Sequence, residues 1–129
     1  MPSFADAMGI HLEAVTLRAR RAEILATNLA NADTPGYQAR DIDFRQILNR
    51  YADPAALRVS HPRHLDGVTD GDGRYALLYR QPSQASLDQN TVDVQAERAA
   101  FLDNSLRYQA SITFLNGRLT GLVSALRGE

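Results

Sequence analysis

The 129-residue sequence contains no cysteine and no lysine, has only five prolines, and carries a net charge of −1. Each scarcity closes off a class of protein. Without cysteine there are no disulfides, no thiolate metal sites and no cysteine nucleophiles. Such a chain suits a reducing compartment, or passage through an oxidising one without crosslinks. Near-zero net charge provides no bulk field to hold nucleic acid or an anionic membrane. The longest unbroken apolar run, Tyr75-Ala76-Leu77-Leu78-Tyr79, is far too short to span a bilayer. The start, Met1-Pro2-Ser3-Phe4-Ala5-Asp6, has neither the positive residue nor the apolar block of a cleavable secretory signal, so none is expected. All 14 basic residues are arginine. The arginine fork suits interfaces, although the bias reads more simply as genomic base composition.

What is present falls into three parts. Residues 4–32 contain no proline and a single glycine, Gly9, and residues 91–127 contain no proline. The intervening stretch holds Pro35, Pro54, Pro62 and Pro82. This predicts an N-terminal helix within 1–33, an irregular middle over 34–90 with a short helix and a hairpin, and a C-terminal helix within 91–129. In the first helix Met8, Val15, Ala22 and Leu29 recur at sevens, beside Ala5, Leu12, Ala19 and Ala26. A third row, Ile10, Leu17 and Ile24, follows the first by two residues, about 200° around the helix. In the last helix Val94, Phe101, Tyr108, Leu115 and Leu122 recur at sevens, beside Ile112, Leu119 and Leu126. Sustained sevens argue for coiled-coil packing. Asn90, Thr91 and Asp93 are all good caps for its start, and Glu97 supplies first-turn acid. Gly117, Gly121 and Gly128, with Ser124 and Ala125, form a small-residue strip that fits either close approach of a neighbouring helix or a frayed end.

The fold class expected is mainly α: an elongated two-helix coiled-coil hairpin, with both terminal helices in one domain and a small irregular, β-containing middle. Helices of about 43 and 55 Å are too long for a globule with a radius of gyration near 14 Å, roughly what 129 residues would give. One antiparallel partner covers only one face of the first helix, so the Ile10, Leu17 and Ile24 row must meet something else. The hairpin is therefore expected to be marginal alone and completed by neighbours. Leu17→Asp is expected to block association with those neighbours.

In the middle, Thr34-Pro35-Gly36-Tyr37 reads as a turn. Asp41-Ile42-Asp43-Phe44 alternates as an extended segment, and Phe44, Ile47, Leu48 and Tyr51 mark a short helix ended by Asp53-Pro54. Asp70-Gly71-Asp72-Gly73 reads as a hairpin turn before a strand from Arg74 to Arg80, whose partner is sought in Leu57-Arg58-Val59 or near Val68. Catalytic and metal chemistry find little support. His61 and His64 flank Pro62 and need more than Asp66 to make a metal site. Asp70 and Asp72 fail the calcium-loop frame at Val68 and Tyr79. No nucleophile elbow or phosphate-binding glycine loop occurs. Arg18, Arg20 and Arg21 lie among Glu13 and Glu23 as a solvated face, and His11 sits alone beside an apolar face. No catalytic residue, cofactor, metal or small-molecule substrate is expected.

The stretch Asn28-Leu29-Ala30-Asn31-Ala32-Asp33-Thr34-Pro35-Gly36-Tyr37 closely resembles the signature of the bacterial flagellar rod and hook proteins, the axial family. Its core is Asn28 and Asn31 followed by Thr34, Pro35, Gly36 and Tyr37. The continuation Ala39-Arg40-Asp41-Ile42-Asp43-Phe44, with Arg40 and Phe44 as markers, is similar to the short proximal rod members. Asn90-Thr91-Val92-Asp93 resembles the start of the family's last helix, and Leu106-Arg107-Tyr108-Gln109-Ala110 its body. Gln89 stands where that family commonly has glycine, and Val94-Gln95 where a leucine and an acid are common. The resemblance covers about half the chain. Physically, Asn28 and Asn31 lie one turn apart at a helix end, where orphan carbonyls need donors.

The resemblance implies a structural subunit of the basal body rod that crosses the periplasm and transmits torque from motor to hook. It implies helical assembly with copies of itself and other rod proteins, contact with the rod base adaptor FliE and the membrane ring or export gate, and type III export as an unfolded chain. The middle segment would lie outside the helical tube. One sibling and two other classes remain open on residues alone: the other short proximal rod protein, a small helical adaptor or type III secretion chaperone, and a small hydrolase using His61, His64 and Asp66.

Overall fold

The computed structural model describes residues 4–52, 75–82 and 84–128. The His61, His64 and Asp66 group, the Leu57–Val59 and Val68 strand candidates and the Asp70–Gly73 turn lie outside them. Two long helices dominate: α1 (Phe4–Ala30, 27 residues) and α3 (Val94–Arg127, 34 residues). Their lengths correspond to about 40 and 51 Å. They pack antiparallel, with Asn28 beside Glu97, Arg18 beside Asn104 and His11 beside Phe114. Between them in sequence come β1 (Arg40–Ile42), α2 (Phe44–Ala52) and β2 (Leu77–Tyr79). The chain is mainly α, an extended helical hairpin with a small sheet in its middle segment.

The caps resolve what spacing left open. Asp93 is the N-cap of α3: its carboxylate accepts from the Gln95 and Ala96 amides, both at 3.1 Å. Asp43 does the same for α2, accepting from Gln46 N at 2.9 Å. At the far end α3 is continuous to Arg127 and closes on Gly128, whose φ of 75° is the left-handed conformation glycine tolerates. The small-residue strip is thus well-formed helix, not a frayed end. A Cβ added at Gly117 or Gly121 would meet nothing within 4 Å, so no described part of the chain uses that space.

β2 has a partner that spacing did not suggest. Among the described residues it is β1, while the Leu57–Val59 and Val68 candidates lie outside them: β1 and β2 run antiparallel, with Arg40 opposite Tyr79, Asp41 opposite Leu78 and Ile42 opposite Leu77. Arg80 N extends the ladder by donating to Ala39 O at 2.9 Å. This register is set by burial, because it turns Ile42 and Leu77 to the same side, onto α1.

The third apolar row of α1 is a correction at Leu17 and Ile24. Leu17 is fully buried, and its surroundings are Ile42, Ile47, Tyr75 and Leu77, with Ile24, Phe44 and Leu48 packed against the group. At Leu17 and Ile24 the face expected to need a neighbouring molecule is covered by the chain's own sheet and α2, while Ile10 is half-buried and outside this group. Spacing showed that α3 could not reach that face but could not show the middle segment folding back. The principal core therefore lies between α1 and the middle segment. The α1–α3 seam is thinner: Val94, Phe101, Tyr108, Ile112, Leu115 and Leu122 are only half-buried.

Two measurements test this. Leu17→Ala should lower unfolding free energy by about 2–5 kcal/mol, as for other fully buried leucines, read from chemical denaturation. Leu17→Asp should abolish the folded middle segment, so any assembly defect would follow from misfolding of the subunit itself.

Candidate functional site

The most constrained region is the joint where α1 ends, the chain turns and α3 begins. Asn28, completely buried on the last turns of α1, uses its full hydrogen-bonding capacity. Its Nδ2 donates to Arg40 O at 2.7 Å and to Glu97 Oε2 at 3.1 Å. Its Oδ1 accepts from Arg40 N at 3.1 Å and from the Tyr37 hydroxyl at 3.2 Å. One amide thereby ties α1, the turn, β1 and α3 together. Burial, opposed in part by Arg40, pushes the Tyr37 phenol above its ordinary range.

An ion-pair chain continues from Glu97. This glutamate is in the first turn of α3, as expected, but it is 1% exposed and not a solvated first-turn acid. Arg80 Nη1 reaches Glu97 Oε1 at 2.7 Å, and Arg80 Nη2 reaches Asp41 Oδ2 at 2.6 Å. Arg21 grips the same Asp41 with both prongs, at 2.8 and 2.9 Å. Burial alone would raise the Asp41 pKa. The bonds from Arg21 and Arg80, with Arg21's charge and the Ile42 amide, outweigh that and hold it below its ordinary value of 3.8. Arg21 is therefore not part of a solvated basic face. Arg20 does pair with Glu23 on the surface. Arg18 donates to Ser111 Oγ at 3.2 Å and lies over Phe44.

The carbonyls at the end of α1 find their donor in a residue that spacing offered only as a cap. Asn90 Nδ2 stands 3.0, 2.8 and 2.9 Å from the carbonyls of Asn31, Ala32 and Thr34, while its Oδ1 accepts from Val92 N. Asn31 Nδ2 donates to Thr27 O, and Thr34 Oγ1 donates to Asn31 Oδ1. Thr91 Oγ1 accepts from Ala39 N at 2.7 Å. Of the two signature asparagines, then, Asn31 serves a helix-end carbonyl and Asn28 does not: it is the hub of the joint. Gly36 has a φ of 70°, which the turn requires, and its N–H donates to Asp88 O at 2.7 Å. Pro35 and Arg40 are exposed on the turn and strand, and Phe44 begins α2.

Gln89 occupies the left-handed region at φ 61°, the conformation that explains a glycine preference there. Spacing alone missed Glu97, Asn104 and Arg80 as buried or bridging groups. Asn104 is completely buried in the α1–α3 seam, donating to Arg18 O at 2.9 Å. Its place one heptad after Glu97 was the available signal. Among the described residues no group of three potential metal ligands occurs, and no helix is long and apolar enough to cross a membrane.

Comparison with known proteins decides the family. Residues 8–38, which span most of α1 and the turn, match the family described as flagella basal body rod protein. The chain is 46% identical to the flagellar basal body rod protein FlgB of Aeromonas hydrophila over 130 residues, covering 98% of this chain and 97% of that protein. It is 43% identical to FlgB of Cereibacter sphaeroides, with both chains covered completely, and 44% identical to FlgB of Escherichia coli over 94% of this chain and 93% of that one. This chain belongs to the FlgB family of flagellar basal body rod proteins. These FlgB relatives favour a structural rod protein over the secretion-chaperone and hydrolase readings. In this FlgB-family chain the signature residues are the ones that build the joint.

The joint generates two predictions. Because the Asp41 pKa is depressed on folding, its contribution is present above its ordinary value and lost as pH falls through the lower folded value. Asp41→Asn should therefore be less stable near neutral pH, with the gap to the parent narrowing below about pH 4 in thermal melts. Gln89→Gly should raise stability by about 1 kcal/mol by removing left-handed strain; an unchanged melting temperature would count against that strain.

Proposed function

We propose that this chain is a subunit of the proximal rod, packing through its terminal helices against copies of itself and other rod proteins. In that position it crosses the periplasm and transmits torque from motor to hook. At the base it meets the adaptor FliE and the membrane ring or export gate, and it arrives as an unfolded chain through the type III apparatus. The absence of cysteine supports this route, since the folded joint is held by hydrogen bonds and ion pairs that form without an oxidant.

The observation that carries the reading is the apolar surface left on α3. Leu102, Leu106, Phe114, Val123 and Leu126 are exposed, with Leu106 at 74% and Leu126 at 81%. Leu102 and Leu106 lie one turn apart, and Ala110 and Gly117 continue the same side away from α1. A helix bare along two sides of its length is what a subunit walled in by other helices requires. The seam residues Met8, Val15, Leu29, Val94, Phe101, Tyr108, Leu115 and Leu122 then serve the hairpin, and the exposed leucines serve the wall. Leu17 and Ile24 belong to the inner packing of the subunit. The joint keeps the hairpin and its middle segment moving as one piece, which torque transfer needs.

Deleting the gene in a flagellated host should leave cells non-motile, with basal bodies that lack a complete rod by electron microscopy. Leu106→Glu should keep the parent's melting behaviour, as exposed substitutions do within about 0.5 kcal/mol, yet fail to restore swimming. Normal swimming in the deletion strain would overturn the rod assignment.

A further inference from the structure

A groove of about 480 Å³ opens between α1, α2 and α3, floored by Phe44 and Leu48 and rimmed by Arg18, Arg21, Arg45 and Arg107 with one carboxylate, Asp103. Its charge is unbalanced. Arg107 is held by Asp103 at 2.9 and 3.0 Å, and Arg21, at the groove's edge, is spent on Asp41. Arg18 and Arg45 have no carboxylate partner among the described residues. The Arg18 guanidinium lies 4.1 Å from the Phe44 ring centroid. Its burial, and then the like charges of Arg107 and Arg21, pull its pKa below the ordinary value. An arrangement that crowds guanidiniums on an apolar floor is relieved by an incoming anion.

The acids point to which anion. Among residues 8–48, 75–82 and 84–128, every carboxylate except one already has work within the chain. Glu13 binds Tyr75, Glu23 binds Arg20, and Asp41 and Glu97 share Arg80. Asp43 and Asp93 cap helices, Asp88 accepts from Ser86 and Asn90, and Asp103 binds Arg107. Asp33 is the exception: exposed on the turn after α1, with no partner among the described residues. It lies on the same strand of the hairpin as Arg18, about 20 Å further along the axis.

We propose that the groove receives the Asp33 carboxylate of a second copy of this chain, lying parallel to the first and displaced by about 20 Å along the hairpin. The inference rests on the rod reading, because such a contact is heterologous: each copy offers its groove to one neighbour and its Asp33 to another, so the row stays open. Arg18 and Arg45 can hold the incoming carboxylate with charge-assisted hydrogen bonds, while Phe44 and Leu48 exclude water beneath it.

The cysteine-free chain allows a direct test. A chain carrying both Arg45→Cys and Asp33→Cys, assembled in basal bodies and treated with a short bismaleimide, should give a ladder of linked copies; either cysteine alone should give none. In motility assays Arg45→Asp and Asp33→Arg should each lose swimming, and the two together should recover it, with circular dichroism confirming that each variant folds. Incorporation into basal bodies without a ladder overturns this contact and leaves the rod assignment standing. Failure to appear in basal bodies, beside a motile deletion strain, overturns the rod assignment itself. Loss of swimming in Arg45→Asp with normal swimming in Asp33→Arg would mean that another protein's acid fills the groove, which also overturns the second copy as occupant.

Discussion

The arrangement depends on one buried carboxamide. Asn28 sits where two helices, a strand and a turn meet, and its four hydrogen bonds reach each of them. The group has no spare capacity, so moving any partner leaves a buried donor or acceptor unmatched, at a cost of about 1–3 kcal/mol per group. The ion-pair chain from Glu97 through Arg80 and Asp41 to Arg21 extends the same logic across the sheet. Buried ion pairs add little net stability, because desolvation offsets attraction. What this set contributes is geometry: it fixes where α3 begins relative to where α1 ends.

That constraint organises the packing. With the joint fixed, β1 is laid along α1 and can pair only with β2 in a register that buries Ile42 and Leu77 over Leu17. The core forms between α1 and the middle segment, and α3 is left to pair with α1 through a half-buried seam. A helix used on one side only is free to present leucines elsewhere. The polar joint and the bare flank of α3 are thus two sides of one design, a subunit rigid in itself and unfinished on its surface.

Much of the fold was legible in the chain. The absence of proline across both terminal segments, the sevens, the Thr34–Tyr37 turn and the Phe44 helix all correspond to elements of the structure. The Asn28–Tyr37 motif pointed to the axial family before any geometry was known. The parts that were not legible share a cause. Spacing gives Leu17 and Ile24 to a neighbour because periodicity describes a face and says nothing of what covers it. The pairing of β1 with β2 joins positions at opposite ends of the middle segment, which local alternation does not reveal. The pairing of Glu97 with Arg80 was not legible, because burial of an ion pair is a property of two positions far apart in the chain.

The sequence alone determined the helical class, the elongated shape, the exclusion of thiol chemistry and the family, because these follow from local periodicity, composition and a contiguous motif. Only the tertiary structure decided which face of α1 is satisfied within the subunit, which of three capping candidates starts α3, and where apolar surface remains. Those outcomes turn on contacts such as Asn28 with Glu97 and Asp41 with Arg80, whose partners are 69 and 39 residues apart. Local patterning carries no information about which distant groups will share a buried site; that is fixed only when the backbone brings their donors and acceptors within reach.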